Sequence, residues 1–259
     1  MSELYLARVQ PEAKPIVEAA SQIYVTHVRP WLVGLVLHGS ALKGGFIPQC
    51  SDIDLQLYLD EAAFTPEGQL PLDICLSIQQ ELAQIDPSPF QYIQCYALPP
   101  HLPANQVGPI PGGYAVLLGR LPVPEATEEQ VRSAARRALD DLIPLPDYVP
   151  RDLLQHGGGK LERSVRLLCT DVWPTLYQVL TLQQQAGLQV WCLPKEQAIA
   201  QLSPTMALGQ TIRAFYGRVY AYYTGERSVE TALQVISCGV AFLRAAKDWW
   251  QHNATPSLP

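Results

Sequence analysis

The sequence predicts an α+β (α/β) chain: a small mixed-sheet domain over residues 1–146, then an α-helical bundle over residues 147–259. Three observations predict it. Strand-like segments at 31–38, 53–59, 90–98 and 114–119 alternate with helical spacing in the first part. Pro144, Pro146 and Pro150 then punctuate a linker. Beyond them the apolar residues recur at helical spacing.

Taken in order, residues 11–28 have the spacing of a helix, which Pro30 ends. Residues 31–38 form a continuous apolar run, the mark of a buried strand, and deliver the small-residue turn Gly39-Ser40. A loop over 41–51, with glycines at 44 and 45, leads to a strictly alternating strand: Ile53, Leu55, Leu57 and Leu59 on one face, Asp52, Asp54, Gln56 and Tyr58 on the other. After a turn-rich connection, residues 72–85 read as a helix with Leu72, Cys75, Leu76, Ile78, Leu82 and Ile85 as its apolar stripe. Two prolines break it before the third strand, and a Pro/Gly-rich surface loop over 99–113 precedes the fourth. Thr127 starts a helix with Glu128 and Glu129 in its first turn.

In the second part, Gly157, Gly158 and Gly159 make a joint. Helices are expected over 161–169, over 173–186, from Pro194 onward and over 205–224, where Tyr220 and Tyr222 flank the core face. Ser228 caps a last helix with a sustained apolar stripe, and residues 252–259 read as a frayed tail.

Bulk properties exclude several classes. A chain of 259 residues, 48% hydrophobic and 16% charged, is globular with ample core. No apolar run approaches the length of a bilayer span and the N-terminus shows no basic-then-apolar leader, so a cytoplasmic location with no membrane partner is expected. Six cysteines without a CxxC read as reduced, buried thiols and not as a zinc site. Residues 1–150 hold 17 acidic against 8 basic residues, and residues 151–259 hold 10 basic against 7 acidic. That asymmetry suits a metal–triphosphate complex, or a cationic acceptor over the acidic half. The absence of a basic stripe argues against nucleic acid as a partner.

The chemistry concentrates around residues 39–54. Asp52 and Asp54 sit on one strand face, ~6.6 Å apart along the backbone, which lets both carboxylates converge on one Mg²⁺ or on a pair of ions. The Gly39-Ser40 turn lets backbone N–H groups approach an anion closely, with the Ser40 hydroxyl as a further donor. Ser51, next to Asp52, is placed to meet a phosphate or orient a carboxylate. His38 reads as a packing or hydrogen-bonding residue, and Lys43, between the turn and the acidic strand, as a solvated loop lysine with a phosphate contact as the alternative. Lys160, after the glycine triplet, is a further candidate for a phosphate, although the P-loop pattern is absent.

A strand, Gly-Ser, a short loop, then Asp-Ile-Asp-Leu resembles the signature of the nucleotidyltransferase superfamily with the polymerase-beta-like fold. In length and in its helical second half the chain is most similar to the aminoglycoside nucleotidyltransferases. The resemblance implies Mg²⁺ held by Asp52 and Asp54, with Gly39, Ser40 and Ser51 near the phosphates of ATP or another nucleoside triphosphate. It also implies a triphosphate contact for Lys195, in the stretch Lys-Glu-x-Ala. The implied reaction moves a nucleoside monophosphate, AMP from ATP, onto a hydroxyl of a small molecule such as an aminoglycoside-like antibiotic. One departure stands out: the third strand of the family commonly carries a third carboxylate, and here its polar residues are Gln91 and Gln94. An amide cannot take a proton at neutral pH, which leaves the base open among Asp140, Asp141, Asp152 and Glu162. It also leaves room for a non-catalytic nucleotide- or partner-binding protein on the same fold, or for nucleotidylation of a protein or RNA.

Overall fold

The computed structural model describes residues 4–103 and 106–253. The chain divides into two compact units between Ala126 and Thr127. In the first, α1 (Lys14–Val28) and a 3₁₀ turn lead to β1 (Leu32–His38), the single-turn α2 (Ser40–Lys43), β2 (Ile53–Leu59), α3 (Leu72–Leu82), β3 (Ile93–Leu98) and β4 (Tyr114–Gly119).

The four strands make one mixed sheet in the order β3-β2-β1-β4. β1 runs antiparallel to both β2 and β4, whereas β2 and β3 are parallel, as the α3 crossover between them requires. One face carries Leu35, Leu37, Ile53, Leu55, Leu57, Leu59 and Leu117, all buried beneath Ile16, Val17, Ala20, Tyr24 and Val28 of α1. A one-residue slip of β2 would turn its four apolar side chains to the other face, losing roughly 1.5–3 kcal/mol for each. The register is therefore held by burial. It fixes Asp54 on the opposite face, where Val36 and Tyr58 form a second, smaller cluster with Val123.

The second unit contains α4 (Glu128–Asp140), α5 (Tyr148–Leu153), α6 (Lys160–Gln183), α7 (Gly187–Trp191), α8 (Lys195–Ala200), α9 (Ala207–Thr224) and α10 (Val229–Asn253). A mixed four-stranded sheet unit followed by a helical unit is the expected fold class. The division falls earlier than the expected 146/147 because α4 belongs with the helices. Thr127 and Gln130 close a reciprocal capping box at its start. The Glu128 carboxylate accepts from the N–H groups of Gly187 and Leu188, at 2.6 and 3.0 Å, and Arg132 donates to the carbonyls of Thr181 and Gln184.

Several local expectations are corrected. The helices expected over 161–169 and 173–186 are one, α6, which runs through Pro174. An interior proline costs ~3 kcal/mol or more, but Leu168, Val172, Leu176, Val179 and Leu180 on both sides of it are fully buried, and their combined burial outweighs that cost. On α3 the face packed on the core is Ile74, Ile78 and Leu82, which leaves Leu72 and Leu76 exposed. Of Tyr220 and Tyr222 on α9, the latter is buried and the former exposed. By length and composition α10 is apolar enough to cross a membrane, contrary to expectation. Its stripe of Ala232, Val235, Ile236, Phe242, Leu243 and Ala246 is spent on the core of this unit. The tail beyond residue 253, and residues 104–105 of the surface loop, lie outside the described residues.

Candidate functional site

The polar face of the sheet presents its chemistry as a row. Strand register aligns Gln94 of β3 with Asp54 of β2, Asp54 with His38 of β1, and His38 with Tyr114 of β4. Directly paired residues point to the same face, so these four side chains stand side by side at one end of the sheet.

β1 ends at His38, and the chain turns through Gly39, whose φ of +76° lies in the region that side chains other than glycine's avoid. A second constraint falls on the same residue. A Cβ on Gly39 would stand 2.1 Å from Oδ2 of Asp54. The turn and the carboxylate are thus in direct apposition. Ser40 follows as the first residue of α2 and is 5% exposed. Lys43 ends α2, half-buried and within electrostatic reach of His38, and is not the solvated loop lysine expected.

Asp52 lies one residue before β2 and acts electrostatically on His38. Its neighbour Ser51 is tied into the preceding loop: its hydroxyl accepts from the Ile47 N–H at 2.9 Å and its own N–H donates to the Ile47 carbonyl. Gly39, Ser40, Ser51, Asp52 and Asp54 all belong to the first unit, and of these Asp54 is the one in apposition to Gly39. Among the described residues, no three His, Cys, Asp or Glu side chains group as a metal-ligand set, and the third-strand position in register with Asp54 holds an amide. The Gln94 Oε1 accepts from the Tyr92 hydroxyl at 3.1 Å. Gln91 lies before the strand, and its N–H donates to the Ser51 carbonyl.

In the sequence His38 reads as a packing or hydrogen-bonding residue. Burial pushes its imidazole pKa down from the ordinary 6.5, Lys43 adds to that and Asp52 opposes it, so the ring is neutral at physiological pH. Its Nε2 is buried without a hydrogen-bond partner among the described residues, and so is the Gln91 Oε1. Such an orphan costs roughly 1–3 kcal/mol. At the far end of the row the Tyr114 hydroxyl donates to Glu125 at 2.7 Å. Burial and that carboxylate together push the tyrosine up to about 12. The Tyr114–Glu125 pair had no signal in the sequence, since neither residue type nor spacing marks it.

The chain matches no protein-family model and no curated relative. Among solved structures it is similar to the spectinomycin adenyltransferase AAD(9) from Enterococcus faecialis, solved with ATP and spectinomycin. The identity is 14%, the TM-score 0.53, and the alignment covers 90% of this chain and 98% of that one. The fold is aminoglycoside nucleotidyltransferase-like.

The remaining expected residues belong to the helical unit. Lys160 opens α6 after Gly157, Gly158 and Gly159, which all adopt positive φ. Lys195 opens α8, with its ammonium 5.8 Å from the Trp173 ring centroid. Next to it, Glu196 accepts from the Tyr216 hydroxyl at 2.5 Å. Of the carboxylates considered as bases, Asp140, Glu162 and Asp152 have structural duties. Asp140 accepts from Trp250 Nε1 at 2.8 Å. Glu162 pairs with Arg227 at 3.4 Å. Asp152, 1% exposed, accepts from Arg163 at 2.6 Å and from the Ser164 hydroxyl at 3.1 Å.

Proposed function

We propose that this protein is a nucleotidyltransferase that moves a nucleoside monophosphate, AMP from ATP, onto a hydroxyl of a small molecule. The observation that carries the reading is the apposition of Asp54 and Gly39. A carboxylate oxygen against a tight glycine–serine turn supports a site for a metal-bound phosphate chain.

The residues fit Mg²⁺. This hard ion takes oxygen ligands, commonly one or two carboxylates supplemented by water and substrate phosphates, and Asp52 and Asp54 supply that number. When bound, it offsets the negative charge that builds on the phosphate oxygens. The Gly39-Ser40 turn and Lys43 would orient the phosphates, and Lys160 and Lys195 are the basic candidates of the helical unit. In the reaction the acceptor hydroxyl forms a bond to the α-phosphorus, the α–β phosphoanhydride breaks, pyrophosphate leaves and the hydroxyl proton is lost. Phosphoryl-type transfer depends mainly on positioning and charge neutralisation, so a site without a third carboxylate remains competent at reduced rate. AAD(9), solved with ATP and spectinomycin, supports ATP as donor and a small hydroxylated acceptor.

The test is incubation with Mg²⁺-ATP and a panel of hydroxylated amines, with nucleotidylated product sought by mass spectrometry. Product is expected, and Asp52→Asn with Asp54→Asn should abolish it. Undiminished turnover in that double variant would end this mechanism.

Gln94 favours a second reading, a nucleotide-binding protein that performs no transfer. Tight Mg²⁺-ATP binding with no product over the whole panel would support it, and robust turnover would exclude it.

A further inference from the structure

His38 has a feature that the transfer reaction as described leaves unused. Its Nε2 is buried and has no hydrogen-bond partner among the described residues. Proteins retain such atoms where something outside the chain completes them, whether ligand, ion or ordered water.

Three observations say where that partner would be. His38 immediately precedes the Gly39-Ser40 turn, at the last position of β1. Its register partner is Asp54, so the ring lies on the polar face of the sheet and not on the face packed against α1. It also feels the charges of both Asp52 and Lys43, one acidic and one basic residue of the same unit.

We propose that His38 is a further substrate-contacting residue, whose Nε2–H donates a hydrogen bond to an oxygen of the nucleotide's phosphate chain. The inference rests on the nucleotidyltransferase reading of the same site. A neutral imidazole with its proton on Nε2 has one donor to offer there. It adds a directed hydrogen bond to the phosphates without another charge, a role complementary to that of Lys43. The orphan nitrogen is then the protein's half of a ligand contact.

The experiment uses the full chain, Mg²⁺-ATP and Mg²⁺-tripolyphosphate as probes, calorimetric affinities, and melting without ligand. His38→Phe should weaken both probes about tenfold, equivalent to about 1.4 kcal/mol. His38→Gln, whose amide can donate, should recover most of that loss. Without ligand, His38→Phe should melt at or above the wild-type temperature, since it removes an unpaired buried polar atom. Wild-type affinities in His38→Phe would overturn the inference, as would a loss confined to ATP, which points to the base and not the phosphates. A lower ligand-free melting temperature in both variants would assign His38 a structural role instead. If the wild type binds neither probe, the nucleotidyltransferase reading fails and this inference with it. Binding that Asp54→Asn abolishes and His38→Phe spares sinks this inference alone.

Discussion

Oδ2 of Asp54 lies 2.1 Å from the point where a Cβ on Gly39 would stand, so the carboxylate occupies space that only a glycine leaves open. One residue thereby serves two purposes. It makes the positive-φ turn after β1, and it admits an acidic side chain from β2 to the edge of that turn.

Gly39→Ala should accordingly be costly twice. The backbone strain is worth about 1–3 kcal/mol, and the added methyl must displace the carboxylate. A urea midpoint lowered by that amount, with Mg²⁺-ATP affinity reduced at least tenfold, is the expected result. Unchanged nucleotide affinity would show that Asp54 need not sit against the turn.

Gln94→Glu tests the row across the sheet. It sets a second carboxylate directly beside Asp54, where like charges repel. Metal-free protein should melt lower than wild type, and Mg²⁺ should raise the melting temperature more than in wild type, because a ligand that binds only the folded state stabilises it. Equal Mg²⁺ responses in the two proteins would remove divalent binding from this end of the sheet.

Asp152→Asn addresses the helical unit. Burial raises the Asp152 pKa, but the Arg163 and Ser164 hydrogen bonds and the charges of Arg163 and Arg151 outweigh it, and the carboxyl titrates below its ordinary 3.8. A carboxyl lowered in the folded state stabilises it above the unfolded value, and this stabilisation is lost as pH falls through the folded value. Wild type should therefore lose stability on acidification below about pH 4. The variant should melt lower at neutral pH, with Arg163 left unpaired, and its deficit should shrink toward acid. A deficit independent of pH would show that shape, not charge, matters at Asp152.

Much of the sheet was legible because its signals are local. The alternation through Ile53, Leu55, Leu57 and Leu59 needs no knowledge of neighbours, and the Gly-Ser turn follows from the residue types at 39 and 40. Pro174 was misleading because a proline's effect on a helix is read locally, whereas burial on both sides of it is a property of the folded unit. α4 was assigned to the wrong side of the boundary for the same reason: Glu128 and Arg132 find their partners some fifty to sixty positions away, at Gly187, Leu188, Thr181 and Gln184.

By itself the sequence determined the strand faces, the glycine–serine turn, the acidic pair and the helical character of the second unit, since periods of two and 3.6 are written in consecutive residues. Only the tertiary structure decided that Gln94, Asp54, His38 and Tyr114 share a row, that Lys43 stands beside the site, and that His38 holds an unpaired nitrogen. Cross-strand register and burial are set by contacts between distant segments, and no window along the chain contains them.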